Sequence, residues 1–236
     1  MDASEALEHR ISGIAALDQP VRRDLYRLVA QREGWTSRDD AAAELGIPRS
    51  VAVFHLDKLA EAGLVEVTYR RTTGRTGPGA GRPSKLYRSS QDEVSASVPE
   101  RHYDLAGSLL AAAVAEASET GAPIGDCLRV TARSAGRLIA TEARAESATA
   151  TRGDDRRRAL LDVLSRHGYE PEAGPDGEIS LANCPFHRLA EQHRSLVCGM
   201  NLDFLTGVVE GLGPGDRLDA RLAPEPGFCC VRIDAA

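Results

Sequence analysis

Aromatic residues are scarce in this chain, and no apolar run is long enough to cross a lipid bilayer. Aromatics make up 4% of the 236 residues, while hydrophobic residues reach 42%, which is too many for a disordered protein. A transmembrane helix needs roughly 20 consecutive apolar residues, and we find no signal peptide. We therefore expect a soluble cytoplasmic protein without membrane contact, built as one large or two small domains.

Disulfide scaffolding and common catalytic motifs are also missing. The chain has five cysteines, but without an export signal they favour reduced thiols, a metal site or redox chemistry over structural disulfides. We find no Cys-x-x-Cys, no Gly-x-Ser-x-Gly and no phosphate-binding loop. His193 and Asp203 could form a nucleophilic set with Cys198, but a charged helix surface explains them more simply. We therefore expect a protein that is not an enzyme.

Charge is distributed unevenly in a chain whose net charge is −6. Residues 1–88 carry 14 Lys+Arg against 12 Asp+Glu, which gives +2, whereas residues 89–236 carry 15 against 23, which gives −8. The segment 67–91 holds six basic and no acidic residues. An acidic protein with one local basic segment is suited to contact a polyanion through a single face, and a solvated loop is the plainer alternative.

Hydrophobic periodicity in the first 90 residues predicts short helices followed by a two-stranded hairpin. The predicted helices are 3–17, one from Pro20 onward, 39–45 and 49–62, with Gly46-Ile47-Pro48 as a break. Thr36 and Ser37 are candidate N-caps. The segments 64–69 and 85–88 are predicted strands joined by a Gly- and Pro-rich loop. Helix, turn, helix and basic hairpin together predict a winged helix-turn-helix domain.

The helix that begins at Arg49 is the predicted recognition helix. Ala52, Leu56 and Leu59 repeat at helical spacing and form its inward stripe. Such a helix lies in the major groove and reads base edges with its outward side chains, while wing side chains meet phosphates or enter a minor groove. The residues that we predict to contact DNA are Arg49, Ser50, Val53, Phe54 and Lys58 on the helix, and Arg71, Arg75, Arg82 and Lys85 in the wing.

Two segments of this region resemble bacterial regulators of the ArsR/MarR type. The segment His55-Leu56-Asp57-Lys58-Leu59-Ala60-Glu61-Ala62-Gly63-Leu64-Val65 closely resembles the end of their recognition helix. The segment Gly81-Arg82-Pro83-Ser84-Lys85-Leu86-Tyr87 is similar to their wing-closing strand. The resemblance covers roughly residues 18–90 and implies a transcriptional regulator that binds a double-stranded DNA operator.

Beyond residue 90 the sequence predicts a linker, a helical middle and a mixed C-terminal region. Residues 89–99 are polar, Ser-rich and without periodicity. Helices are predicted over 103–118, 124–145 and 154–167 and within 185–212, and strands over 169–173, 178–181, 217–222 and 228–233. The expected fold class is α+β, with a winged helix-turn-helix at 1–90, a linker and helical dimerisation region at 91–146, and a sensor domain with antiparallel strands at 147–236.

Four cysteines fall in the last quarter of the chain: Cys184, Cys198, Cys229 and Cys230. Cys184 and His187 are three residues apart at the start of a predicted helix, so they could face one side. Cys229 and Cys230 are neighbours on a predicted strand, where successive side chains point to opposite faces. Only one of the two can then easily join the others, and Cys229 shares the parity of the apolar residues that follow it.

Two kinds of site fit this set of donors. Three thiolates could hold an iron–sulfur cluster with one position left open, whereas three cysteines and His187 would close a tetrahedral zinc site. The alternative is that the cysteines are small buried hydrophobes, as we expect for Cys127, which is alone in an apolar helix.

The order of a winged helix and a C-terminal region with spaced cysteines resembles the SufR group of regulators. In this resemblance Cys184 matches the cysteine of the Cys-Pro motif, Cys198 the second cysteine, and Cys229 or Cys230 the last. It implies a dimeric repressor of iron–sulfur assembly genes whose DNA affinity depends on a bound cluster. A regulator with a structural zinc site and a small-molecule effector is the alternative.

Overall fold

Two separate hydrophobic cores organise the chain, one within residues 1–96 (the N-terminal unit) and one within residues 97–236 (the C-terminal unit). The computed structural model describes residues 3–70, 83–90, 93–146, 154–174, 177–213 and 218–235. In these residues the fold is α+β: a helix-turn-helix with wing strands, a helical middle region and a C-terminal antiparallel sheet of four strands. The predicted fold class is confirmed.

The described elements of the N-terminal unit follow the predicted order with one addition. They are α1 (Ala3–Ala16), α2 (Pro20–Gln31), β1 (Thr36–Ser37), α3 (Arg38–Leu45), α4 (Arg49–Glu61), β2 (Val65–Arg70) and β3 (Ser84–Ser89). The addition is β1, which pairs antiparallel with β3, so that the sheet order is β1-β3-β2. Ser37 caps α3 by accepting the N–H of Asp40, as predicted. Its neighbour Thr36 is buried in the sheet instead.

Local sequence explains the break between α3 and α4. Gly46 ends α3 in the left-handed region, at φ 63°, which favours glycine because it has no Cβ. Pro48 then precedes the first residue of α4. Three residues of α4 are fully buried in the core of the unit, namely Ala52, Leu56 and Leu59. The predicted inward stripe is therefore confirmed, and the opposite face of α4 is left for contacts.

The C-terminal unit combines long helices with the second sheet. Its described elements are α5 (Tyr103–Thr120), α6 (Ile124–Glu146), α7 (Asp154–Arg166), β4 (Pro171–Ala173), β5 (Ile179–Leu181), α8 (His187–Gln192), α9 (Arg194–Gly211), β6 (Leu218–Leu222) and β7 (Val231–Ala235). The sheet is antiparallel, in the order β4-β5-β7-β6. None of the helices in the described ranges is both long and apolar enough to cross a membrane.

Helices α6 and α9 pack backbone against backbone. A Cβ added at Gly207 would lie 2.0 Å from the carbonyl oxygen of Arg133, and one at Gly136 would lie 2.0 Å from that of Phe204. Glycine at these positions therefore permits an approach that any side chain would prevent. On the flank of the same contact, Glu210 of α9 accepts hydrogen bonds from Arg133 and Arg137 of α6.

The last strand begins later than predicted. The prediction was 228–233, but β7 starts at Val231, and Gly227 makes a turn at φ 87° just before it. Cys229 and Cys230 therefore lie in irregular backbone, where the alternation of a strand does not apply. The predicted opposition of their side chains is wrong for this reason. Cys229 is nevertheless buried, like Val231 and Ile233 that follow it.

Candidate functional site

The outward face of α4 carries the side chains that were predicted to read DNA. Arg49, Ser50 and Phe54 are exposed, the phenyl ring of Phe54 to 58%, and Val53 and Lys58 are half-buried. The ring of Phe54 packs edge to face on the ring of His55, with 5.1 Å between the centroids, and leaves more than half of its surface in water. The arrangement fits insertion of this face into a groove.

The two basic side chains of this face are paired with exposed carboxylates. Arg49 bonds Asp39 of α3, and Lys58 bonds Glu61 one turn further along α4. Exposed ion pairs contribute about 0–1 kcal/mol, since water screens both charges. They can therefore be exchanged for DNA phosphates at little cost, which leaves both cations available to a polyanion.

Lys85, which was also predicted to contact DNA, takes part in a clamp between the wing and α4. Its Nζ lies 2.6 Å from Oδ1 of Asp57, which also accepts the hydroxyl of Tyr87 over 2.7 Å. Burial alone would raise the pKa of Asp57, but the hydrogen bonds from Lys85 and Tyr87 outweigh it and hold that pKa below its ordinary value. The Lys85 side chain is 22% exposed. The charge of Lys85 is therefore engaged in holding the wing strand β3 to α4.

A basic, aromatic cluster at the base of the wing was not among the predicted contacts. The guanidinium groups of Arg70 and Arg88 lie 5.4 and 4.8 Å from the ring centroid of Trp35, a distance typical of cation–π contacts. Trp35 is the single tryptophan of the chain, and it directly precedes β1. Both arginines belong to the basic segment 67–91, so the charge pattern could have indicated them as candidate DNA contacts. Their shared contact with Trp35 could not be predicted, because Trp35 is more than 30 positions away in sequence.

Three of the predicted DNA contacts cannot be located. Arg71, Arg75 and Arg82 lie outside the described residues. They continue the chain between Arg70, the last residue of β2, and Ser84, the first of β3, which are paired with each other across the hairpin. The predicted position of these arginines in the connection between two antiparallel strands stays a prediction.

Four cysteines from three stretches of the C-terminal unit line one cleft, which we call the thiol pocket. Cys184 precedes α8, Cys198 lies in α9, and Cys229 and Cys230 precede β7. The cleft has a volume of about 350 Å³, and its other lining side chains include His187, Glu191, Arg194 and Phe228. Cys127, the fifth cysteine, is buried in the core. Both members of the C-terminal pair thus reach the same cleft.

Neighbouring thiols of the pocket shift each other's pKa. The interacting pairs are Cys184 with Cys229, Cys229 with Cys230, and Cys230 with Cys198. The hydrogen bond with Cys184 favours the thiolate of Cys229, but the hydrogen bond with Cys230 and burial outweigh it and raise the pKa of Cys229 to about 12. The pKa of Cys184 is raised by its bond to Cys229 and by burial, and burial raises that of Cys198. The thiols of Cys184, Cys198 and Cys229 are therefore harder to deprotonate than an isolated cysteine.

Two buried polar residues support Cys229 from behind. The amide Nδ2 of Asn201 donates to Sγ of Cys229 over 3.2 Å, and the hydroxyl of Tyr169 donates to Oδ1 of Asn201 over 2.5 Å. All three side chains are at most 1% exposed. Sequence reasoning missed Asn201 and Tyr169, although a lone Asn three residues after a cysteine on an apolar helix is a signal of a buried polar role.

A cationic side chain fixes the rim of the pocket. Arg232 of β7 donates to Glu178 over 2.8 Å, also bonds Glu225, and lies 5.9 Å from the ring centroid of Phe228. Glu225 and Phe228 belong to the lining of the pocket. Arg232 thereby ties the segment before β7 to the sheet.

His187, the first residue of α8, lines the same cleft. Its ring is exposed, and Nε2 lies 3.3 Å from Oε1 of Glu191. Within the described ranges no three His, Cys, Asp or Glu side chains are arranged to hold a metal ion. The donor chemistry nevertheless fits a thiolate-bound group, because four sulfurs already line one cleft and a buried N–H donor points at one of them.

Comparison with known proteins identifies one part of the chain. Residues 17–68 match the family model of a helix-turn-helix domain. The match runs from the end of α1 through α2, α3 and α4 into β2, so it includes the outward face described above. No curated protein and no solved structure matches the chain significantly. The helix-turn-helix domain identifies DNA binding in transcriptional regulation as the role of the N-terminal unit.

Proposed function

We propose that this protein is a sequence-specific transcriptional regulator, a dimeric repressor, whose affinity for DNA responds to an iron–sulfur cluster or a metal held by the thiol pocket. The observation that carries the proposal is the meeting of four cysteines, separated by up to 46 positions, in one cleft of a chain that also contains a helix-turn-helix domain. Cys184 and Cys230 are only half-buried and all four cysteines border the cleft, which favours a role beyond filling the core.

DNA binding is assigned to α4 and the wing. Phe54 stands on the face opposite the buried stripe, and Arg49 is exposed in the first turn of α4, so both are free to approach DNA when α4 enters a major groove. The Trp35 cluster adds the cations of Arg70 and Arg88 on the wing strands, where Arg88 is also paired with Glu66. Phosphate contacts of this kind supply most of the affinity and make it depend on salt.

The sensing role is assigned to the cysteines. Cys184, Cys198 and one of the C-terminal pair would hold the group, as in the SufR group that the sequence resembles. When bound, an iron–sulfur cluster would supply sensitivity to iron supply and to oxidants. The chain's own contribution is to place sulfurs from three distant stretches around one cleft, to bury those of Cys198 and Cys229, and to direct the N–H of Asn201 at Cys229.

Dimerisation follows from the needs of DNA reading. One recognition helix contacts few base pairs, and paired half-sites about one helical turn apart multiply the readout. Candidate contact faces are exposed apolar side chains: Ile11 and Ile14 on α1, and Val130 and Leu138 on α6. The expected coupling between the pocket and DNA affinity is about 1–3 kcal/mol, which is typical of allosteric proteins.

A second candidate is a regulator with a structural zinc and a small-molecule effector. It is favoured by His187, which adds a nitrogen donor at the rim of the thiol pocket, and by a cleft of about 610 Å³ lined by residues of α5 and α6. Cys127 and Val130 give this cleft an apolar wall. In this case the zinc would be permanent and the effector would bind in the cleft.

The deciding experiment measures iron, acid-labile sulfide and zinc in protein isolated without air, together with DNA binding before and after exposure to air. Iron and sulfide in equal amounts, a brown colour and a change of DNA affinity in air are expected. A colourless protein with one zinc and air-insensitive DNA binding would favour the second candidate. Protein with neither metal, which still binds DNA, would refute both sensing mechanisms and leave the DNA-binding role.

A further inference from the structure

A hydrogen-bond relay runs from the interior of the C-terminal unit to the sulfur of Cys229. Tyr169 follows α7, Asn201 lies in α9, and Cys229 precedes β7, so three separate stretches meet in the relay. The amide N–H of Asn201 is the donor over 3.2 Å, so the sulfur of Cys229 accepts this bond through a lone pair. A buried N–H aimed at a sulfur lone pair is the arrangement that accompanies metal-bound thiolates.

The neighbouring Cys230 has a different environment. It is half-buried and borders the cleft together with Cys198. Cys229 is 1% exposed and is held on its interior side by an amide that is itself anchored by a hydroxyl. Both sulfurs border the same cleft, but it is the sulfur of Cys229 that accepts a hydrogen bond from the buried amide of Asn201.

We propose that Asn201 is a positioning residue that makes Cys229, and not Cys230, the metal or cluster ligand from the C-terminal pair. This inference rests on the proposed function. The N–H of Asn201 holds the direction of the Cys229 lone pair and offsets the negative charge of the sulfur once its proton has left. Partners of this kind typically contribute about 10–100-fold to metal affinity. Tyr169 acts one step further back by holding the amide.

The test uses cobalt(II) as the probe and the full chain, reduced and free of air. Cobalt bound to thiolates gives an intense sulfur-to-metal charge-transfer absorption, so both the presence of the bond and the dissociation constant are read directly. Cys229→Ser is expected to lose one thiolate contribution to this band and to weaken binding strongly. Cys230→Ser is expected to keep the band and the affinity of the unmodified chain.

The role of the amide is tested by replacing it with an apolar side chain of similar size. Asn201→Leu is expected to weaken cobalt binding about 10-fold or more. The double variant Asn201→Leu with Tyr169→Phe removes both partners of the buried bond, which restores stability without restoring the donor to sulfur. Its affinity should therefore remain low. Asn183→Leu is the matched control, because the amide of Asn183 is also buried but donates to the backbone carbonyls of Glu100 and Gly168.

The outcomes separate this inference from the function on which it rests. A band that requires Cys230 instead of Cys229 overturns the inference alone, as does Asn201→Leu behaving like Asn183→Leu. Recovery of cobalt affinity together with stability in the double variant also overturns it, since the amide would then act only on the fold. No sulfur-to-cobalt band in the unmodified chain overturns both the inference and the metal-binding part of the proposed function.

Discussion

Replacing Gly207 with alanine is a direct test of the contact between α6 and α9, the helix that carries Cys198 and Asn201. The new Cβ would lie 2.0 Å from the carbonyl oxygen of Arg133, whereas ordinary contact begins at 3.4 Å. A backbone atom cannot turn aside as a side chain can, so the two helices must separate. Gly199 lies in the same helix, and a Cβ there would meet nothing within 4 Å.

The two substitutions are chemically identical and should have opposite effects on the free energy of unfolding. Alanine is favoured over glycine inside a helix by about 1 kcal/mol, because the unfolded chain loses less conformational freedom. Overpacking costs about 1–3 kcal/mol, and a clash with backbone belongs at the upper end. We therefore expect Gly207→Ala to destabilise by about 2 kcal/mol and Gly199→Ala to stabilise by about 0.5–1 kcal/mol.

Urea unfolding followed by far-ultraviolet circular dichroism measures both effects. Trp35 is the only tryptophan and belongs to the N-terminal unit, so its fluorescence gives an internal control for unfolding of that unit. The midpoint from circular dichroism should fall for Gly207→Ala and rise for Gly199→Ala. If Gly207→Ala proved as stable as Gly199→Ala, direct backbone packing of α6 on α9 could not be correct.

Three further predictions concern the DNA face, the wing clamp and the thiol pocket. Arg49→Ala should weaken DNA binding by about 1–3 kcal/mol in a titration of labelled operator DNA, with metal content unchanged, and unchanged affinity would remove Arg49 from the reading face. The lowered pKa of Asp57 means that its bonds stabilise the fold fully above its ordinary value of 3.8 and are lost as pH falls through the lowered value. In thermal unfolding, the Asp57→Asn variant should accordingly lose less stability between about pH 5 and pH 2 than the unmodified chain does. An equal loss of stability in both proteins would contradict the clamp. Cys198→Ser should lose the bound metal or cluster in elemental analysis, and full retention would exclude Cys198 as a ligand.

Features set by local sequence could be predicted well. The inward stripe of α4 follows from helical spacing of apolar residues, and the cap at Ser37 follows from a serine placed before a helical segment. Gly46 and Pro48 predict the break between α3 and α4. Glycine readily adopts the left-handed conformation that ends a helix, whereas proline fixes φ and has no N–H to continue one. Each of these signals lies within a few residues of the structure that it determines.

Features that depend on distant partners could not be predicted. Lys85 has the sequence context of a DNA contact, but Asp57, 28 positions earlier, provides a nearer partner once the wing closes on α4. Cys229 and Cys230 were expected to point apart because a strand was predicted from residue 228. The structure has a turn at Gly227 instead, and β7 begins only at Val231, where it pairs with β6. The bond from Asn201 to Cys229 spans 28 positions in the same way.

The thiol pocket combines a rigid wall with an adjustable one. Cys198 and Asn201 lie on α9, whose backbone contacts that of α6 directly, so this wall cannot move without opening the core. Cys229 and Cys230 lie in irregular backbone, which is held by two backbone hydrogen bonds, from Cys229 to Leu181 and from Ala223 to Cys230, and by the side-chain contacts of Arg232. A few bonds of that kind resist displacement less than the continuous backbone packing of two core helices. A ligand shared by both walls would therefore act chiefly on the segment before β7, and the structural response to gaining or losing it should be sought there.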